Sequence, residues 1–160
     1  MGGADPACNL HSSFIFHGAP ITQLSDRVQD AMRWSTLHLT PAHLTLANTL
    51  PVGQSFLWHH RNGVYSRSVD NPPRVVFLRQ NPLTVEYAAV HPDQAATDAD
   101  IENGVTRRWL EDYLQLKYDL PDLYSEWRKR DAGLFGKTEL DTRAIGVRVL
   151  RQDPWECLIA

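Results

Sequence analysis

The chain has 160 residues but only two cysteines, Cys8 and Cys157, lying near opposite ends of the sequence. Two such residues form neither a disulfide framework nor a ligand cluster, and a reducing compartment is the expected setting. Apolar runs reach about four residues, against the ~20 that a membrane-spanning helix needs, so a soluble protein is expected. Positive charge is not in excess: 16 Lys and Arg face 19 Asp and Glu, a net charge of -3. No global basic field therefore announces a nucleic acid, although a local patch remains open. The segment before Arg27 carries no Lys or Arg, which excludes the charged start of a secretory signal and the Arg enrichment of a transit peptide. Internal repeats, low-complexity tracts, Gly-rich phosphate loops, G-x-S-x-G elbows and H-E-x-x-H motifs are all missing. What remains has the size of one domain around one core.

Residues 1–33 hold Gly2, Gly3, Pro6, Gly18 and Pro20 around the apolar triplet Phe14 to Phe16, and are expected to be a poorly ordered lead-in with a short helix from Ser25 to Arg33. Leu44, Leu46 and Leu50 alternate with Thr45, Ala47 and Thr49, which predicts a half-buried strand. Phe56 to His60 and Val64 to Val69 flank Arg61-Asn62-Gly63, and Asn-Gly supplies the positive-φ positions of a tight hairpin. Arg74 to Gln80 and Thr84 to Val90 repeat the arrangement around Asn81-Pro82, with Val75, Phe77, Val85 and Tyr87 facing inward. A helix is expected from near Asp98, opened by Thr97-Asp98-Ala99-Asp100. Its apolar stripe is Ile101, Val105, Trp109 and Tyr113 with Leu110, Leu114 and Leu116, and Gly104 inside it costs about 1 kcal/mol. Pro121 starts a second helix through Leu123, Tyr124 and Trp127, closed by Arg128-Lys129-Arg130. Asp153-Pro154 starts a third, with Trp155, Leu158 and Ile159 as its stripe, and the chain reads as interrupted at Ala160. Strands first and helices afterwards predict an α+β domain, a twisted antiparallel sheet of about five strands with two packed helices.

Most clusters of chemistry-bearing residues have plain explanations. His59 and His60 are adjacent on a strand and point to opposite faces. Cys8, His11 and His17 lack further ligands at usable spacing. Glu111-Asp112 and the group Asp98, Asp100 and Glu102 suit a solvated helix face or a helix start. No metal or cofactor is expected. Two words stand out. Leu50 to Trp58 reads LPVGQSFLW, a turn whose glycine permits close approach of a ligand. Gly146 to Leu158 reads GVRVLRQDPWECL, an extended basic segment feeding a capped helix.

With LEDYLQLKYDLPDLYSEW at Leu110 to Trp127, these words resemble the 8-oxoguanine DNA glycosylases of eukaryotes, over Trp34 to Ala160. The resemblance implies the family's amino-terminal domain, shaped like half of a TATA-binding protein, at residues 34–146. Residues 147–160 would then be a linker and the interrupted start of an all-α domain. It implies base excision repair of duplex DNA by a monomeric glycosylase and AP lyase, without cofactor or membrane, in nucleus or mitochondrion. Gly53 matches the glycine whose main-chain carbonyl receives the lesion, with Gln54, Ser55 and Phe56 supporting the loop. Arg148 and Arg151 are candidates for phosphate contacts or for structural ion pairs. Leu57 stands where the family has arginine, and Trp155 where it has a smaller aliphatic residue. The family's catalytic lysine and aspartate sit on a helix-hairpin-helix domain farther along, and Lys117, Lys129 and Lys137 have no matching context. The alternatives are a non-catalytic DNA- or protein-binding module, or an unrelated α+β domain. The 160-residue chain is expected neither to cleave 8-oxoguanine DNA nor to form a borohydride-trapped adduct with it; a trapped adduct on a denaturing gel overturns this.

Overall fold

The computed structural model describes residues 32–135 and 144–159. The expected lead-in up to residue 31, with Cys8, His11, His17 and the start of the Ser25 helix, lies outside the described residues, as does Lys137. The sheet is five-stranded and antiparallel, formed by β1 (Ser35–Leu37), β2 (His59–Arg61), β3 (Val64–Asp70), β4 (Pro73–Gln80) and β5 (Val85–Val90) in the order β1-β5-β4-β3-β2. Helices α1 (Leu46–Thr49), α2 (Gln94–Asn103), α3 (Val105–Tyr113), α4 (Leu120–Arg130), α5 (Ala132–Phe135) and α6 (Pro154–Ile159) complete it. The α+β class and the five-stranded antiparallel sheet are those expected.

The hairpin signal is borne out. Asn62 (φ 49°) and Gly63 (φ 76°) turn β2 into β3, with Arg61 opposite Val64. Register then sorts the strands into two faces. Tyr65, Val76, Leu78 and Val85 join Leu37, Leu44, Leu46, Leu50, Leu110, Tyr113, Leu114 and Leu150 in the main core. Each fully buried leucine there contributes about 2 to 3 kcal/mol. Val75 and Phe77 pair with Val90 and Ala88, whereas Val85 and Tyr87 pair with Gln80 and Leu78. The two inward-facing pairs thus lie on opposite faces of the sheet, and both faces bury apolar side chains, because Val64, Val75, Phe77 and Ala88 are also buried.

Two expectations are corrected. Leu44 to Leu50 is no strand. Asn48 interrupts the alternation, and Leu46 and Leu50, four apart, close a helical turn through Leu50 N to Leu46 O at 2.9 Å. The Gln80 amide ties this corner to the sheet, accepting from Leu46 N (2.8 Å) and donating to Leu44 O (2.7 Å). The sheet takes its first strand from Ser35–Leu37 instead.

The long helix near Asp98 is also two helices. Asp93, not Thr97, caps α2 by accepting from Ala95 N at 2.8 Å, and Gly104 (φ 63°) ends it in the left-handed region. Asp100 then caps the next helix, accepting from Thr106 N (2.7 Å) and Thr106 Oγ1 (2.5 Å) while His91 Nε2 lies 2.7 Å away. Asp100 is therefore buried rather than solvated, and Ile101, expected in the apolar stripe, is exposed. The second predicted helix stands, with Asp119 as cap, Pro121 in the first turn and Arg128, Lys129 and Arg130 in the last.

Gly146 (φ 67°) packs so closely that a Cβ would meet Pro41 O at 2.2 Å and Thr45 N at 2.5 Å. Gly53 (φ 83°) has nothing within 4 Å of that position. Gly146→Ala is expected to lower stability by about 3 kcal/mol or more, and Gly53→Ala by only about 1 to 2 kcal/mol of backbone strain. Urea unfolding midpoints of the two variants check the contrast.

Candidate functional site

The Leu50–Trp58 word forms an exposed turn with Gly53 at its tip. Gln54 holds it from one side, donating through Nε2 to Arg148 O (2.8 Å) and accepting at Oε1 from Leu150 N (3.0 Å). That is the pattern of a strand neighbour, supplied by a side chain. Across the same segment, Gln115 Nε2 donates to Val149 O (2.8 Å) and Arg151 N donates to Tyr113 O (2.8 Å). Residues 148–151 therefore run between two partners, their alternate groups bonded to the Gly53 loop and to Tyr113 and Gln115 at the end of α3. Thr49 Oγ1 adds bonds to Gly146 O (3.2 Å) and from Arg148 N (3.3 Å). The stretch expected as a linker is packed into the domain at these points.

Ser55 anchors the loop deeper. Its hydroxyl donates to Glu156 Oε1 at 2.7 Å, and the same carboxylate receives Arg67 NH1 at 3.0 Å and NH2 at 3.4 Å. The Arg67 and Glu156 side chains are 8% and 6% exposed. The Arg67 guanidinium lies 5.7, 5.5 and 5.0 Å from the ring centres of Trp58, Trp109 and Tyr113. Trp58 Nε1 donates to Tyr113 Oη at 3.1 Å. An ion pair out of water is tolerated because every side of it is answered by a hydrogen bond or a π face. Burial alone would push the Glu156 carboxyl up, but the surrounding Gln152, Ser55 and Arg67 outweigh it and hold it below the usual carboxylate range. Burial raises the Tyr113 hydroxyl.

The remaining candidates fall as follows. Phe56 is 69% exposed and Leu57 40%. With exposed Val52 they form the loop's outer surface, and Trp155 and Leu158 on α6 are exposed too, as expected. Arg148 is buried, with Nε donating to His43 O (2.6 Å) and NH1 to Gln115 O (3.0 Å) and Tyr118 O (3.2 Å). Its guanidinium is held by main-chain carbonyls rather than by a carboxylate, and a phosphate contact would cost these bonds. Arg151 is exposed and pairs with Asp112 at 2.8 Å. His60 stacks on Tyr65 at 4.3 Å, and no group of three potential metal ligands occurs among the described residues. Sequence reasoning missed Arg67, Glu156 and Arg74. Arg74 is 1% exposed, donates to Pro72 O at 2.8 Å and lies 5.5 Å from the Trp109 ring. For Arg67 a signal existed, since it occupies an inward position of β3 between Tyr65 and Val69.

Fold and loop together define a sheet-and-helix domain that presents a glycine-tipped turn backed by its own distal segment. Residues 36–158 match the family described as the 8-oxoguanine DNA glycosylase, N-terminal domain. The chain is similar to the N-glycosylase/DNA lyase OGG1 of Arabidopsis thaliana, 38% identical over 130 residues, which cover 79% of this chain and 32% of the relative. It thus spans about a third of that relative's length. The solved structure of MBOgg1 in complex with a low-affinity DNA ligand shares the fold, with a TM-score of 0.52 and 23% identity over 78% of this chain and 40% of that one. The chain belongs to the 8-oxoguanine DNA glycosylase N-terminal domain family.

Two predictions follow from the clamp. Glu156→Leu strands the Arg67 charge and is expected to cost about 3 to 5 kcal/mol, whereas Arg67→Met with Glu156→Leu recovers most of that loss in chemical denaturation. For Asp100, burial acts upward but Thr106 and His91 outweigh it and depress the carboxyl, as happens at Glu156. Depressed folded values mean that this stabilisation is complete above the ordinary carboxylate range, about pH 4.5, and is lost as pH falls through the folded values. Melting temperature measured from pH 7 to pH 3 should fall below about pH 4.5, and less steeply in the double variant.

Proposed function

We propose that this domain is the lesion-reading part of an 8-oxoguanine DNA N-glycosylase and AP lyase acting on duplex DNA in base excision repair. The observation that carries the reading is Gly53 at the tip of a held turn, exposed and with open space where a Cβ would stand. Oxidised guanine bears a proton on the five-membered-ring nitrogen where guanine has a lone pair. A main-chain carbonyl accepts from the first and repels the second, and a buried unpaired acceptor costs about 1 to 3 kcal/mol. Gln54 and Ser55 keep that carbonyl in place through the bonds described, and exposed Phe56 borders it. Of Arg148 and Arg151, exposed Arg151 is the one left for a phosphate, which would compete with its pair to Asp112. Excision is assigned to a lysine and an aspartate on a helix-hairpin-helix domain that residues 147–160 lead into, the base being flipped out to reach them. Nuclear action accords with this chemistry.

The test is a chimera in which residues 34–158 replace the matching region of the Arabidopsis relative. It is expected to excise 8-oxoguanine from a duplex. Gly53→Ala in the chimera should reduce excision at least tenfold while cleavage at a preformed abasic site, which needs no base reading, is kept. Equal loss of both activities, or no loss of excision, overturns the role of Gly53.

A further inference from the structure

Across the 148–151 segment from the Gly53 loop lies a groove of about 590 Å³ between the end of β1 and the outer side of α3. Half-buried Leu39 and Leu116 supply its apolar surface above buried Leu37, and its cations are Arg107, Arg108, Lys117 and Arg151. Two of these are answered in place, Arg107 by Glu111 at 2.9 Å and Arg151 by Asp112 at 2.8 Å. Arg108 gives NH1 to a neutral acceptor, Asn103 O at 2.5 Å, and Lys117 Nζ lies 4.9 Å from the Tyr118 ring, so among the described residues neither positive charge is answered by a carboxylate. A protein of net charge -3 thus concentrates positive charge along one leucine-lined groove.

We propose that this groove binds a short extended peptide segment of another protein in which acidic residues alternate with large aliphatic ones. Charge complementarity selects the carboxylates, which would meet Arg108 and Lys117, while the leucines take the aliphatic side chains. β1 is an end strand of the sheet, the position at which extended chains commonly dock. Beyond the one phosphate assigned to Arg151, a nucleic-acid backbone fits the groove less well. It offers a charge at every step and nothing apolar to cover Leu39 and Leu116, and it would meet Glu111 and Asp112. The placement opposite the Gln54 contacts leaves the Gly53 loop open while the groove is filled.

The probe is a fluorescein-labelled peptide of four Asp-Leu repeats, titrated with the 160-residue chain and followed by anisotropy. Saturable binding is expected, at least tenfold weaker for Arg108→Glu with Lys117→Glu and unchanged for Gly53→Ala. Both groove substitutions are at exposed positions, and circular dichroism checks the fold. A peptide of four Asp-Ser repeats should bind at least tenfold more weakly. Absence of saturable binding, indifference to the charge reversals, or equal affinity for the Asp-Ser peptide overturns the proposal. So does tighter binding of an undamaged duplex that the same charge reversals abolish, which would make the groove a nucleic-acid surface.

Discussion

A carboxylate from the end of the chain is buried beneath a guanidinium from the middle of the sheet, and most of what distinguishes this domain hangs from that pair. Arg67 stands on β3, Glu156 on α6, and the Ser55 hydroxyl of the Gly53 loop donates to the same Glu156 carboxylate. None of the three has a sufficient partner in its own element. Trp58, Trp109 and Tyr113 close around them and shield the pair from water, which strengthens the attraction that holds it. The loop, the sheet and the final helix are consequently one mechanical unit.

The Gln54 side chain extends the same unit by other means. A backbone strand beside residues 148–150 would have needed a stretch of extended chain where a tight turn is required. One glutamine amide supplies a donor and an acceptor at the spacing of a strand partner and leaves the turn around Gly53 undisturbed. Thr49 and Gln80 do similar work at neighbouring corners, so that the stretch from Leu44 to Trp58 is held largely by side-chain bonds, from Thr49 and Gln54 within it and from Gln80 on β4.

What was legible in the sequence is what is local. Asn62-Gly63 specifies its hairpin, Pro121 and Arg128-Lys129-Arg130 bracket their helix, and strand periodicity marks β3 to β5. Three-residue β1 is too short to carry a period, and the spacing of Leu46 and Leu50 satisfies a helix as well as a strand. Gly104 is read as a cost within one helix, but it is where two helices meet, because Asp100 can cap the second only if the first stops. Spacing marks Arg67 as inward on β3 but does not name its partner. Glu156 is 89 residues away and by itself looks like a solvated side chain. The same distance hides the structural use of Arg148, whose His43 partner is 105 residues away. The Gly53 loop itself was visible as a motif word; what holds it was not.

Sequence separation also has a consequence for the order of assembly. The β2-to-β5 meander needs contacts between neighbours along the chain, so its closure entropy is small and it can form early. The bonds that shape the Gly53 turn bridge 94 to 101 residues, and the set cannot be completed until the segment from Arg148 to Glu156 has been synthesised and docked. During synthesis the sheet therefore precedes the turn. The Gly53 turn is among the last features of the domain to mature, and it reports that the preceding sheet, helix and closing segment have come together correctly.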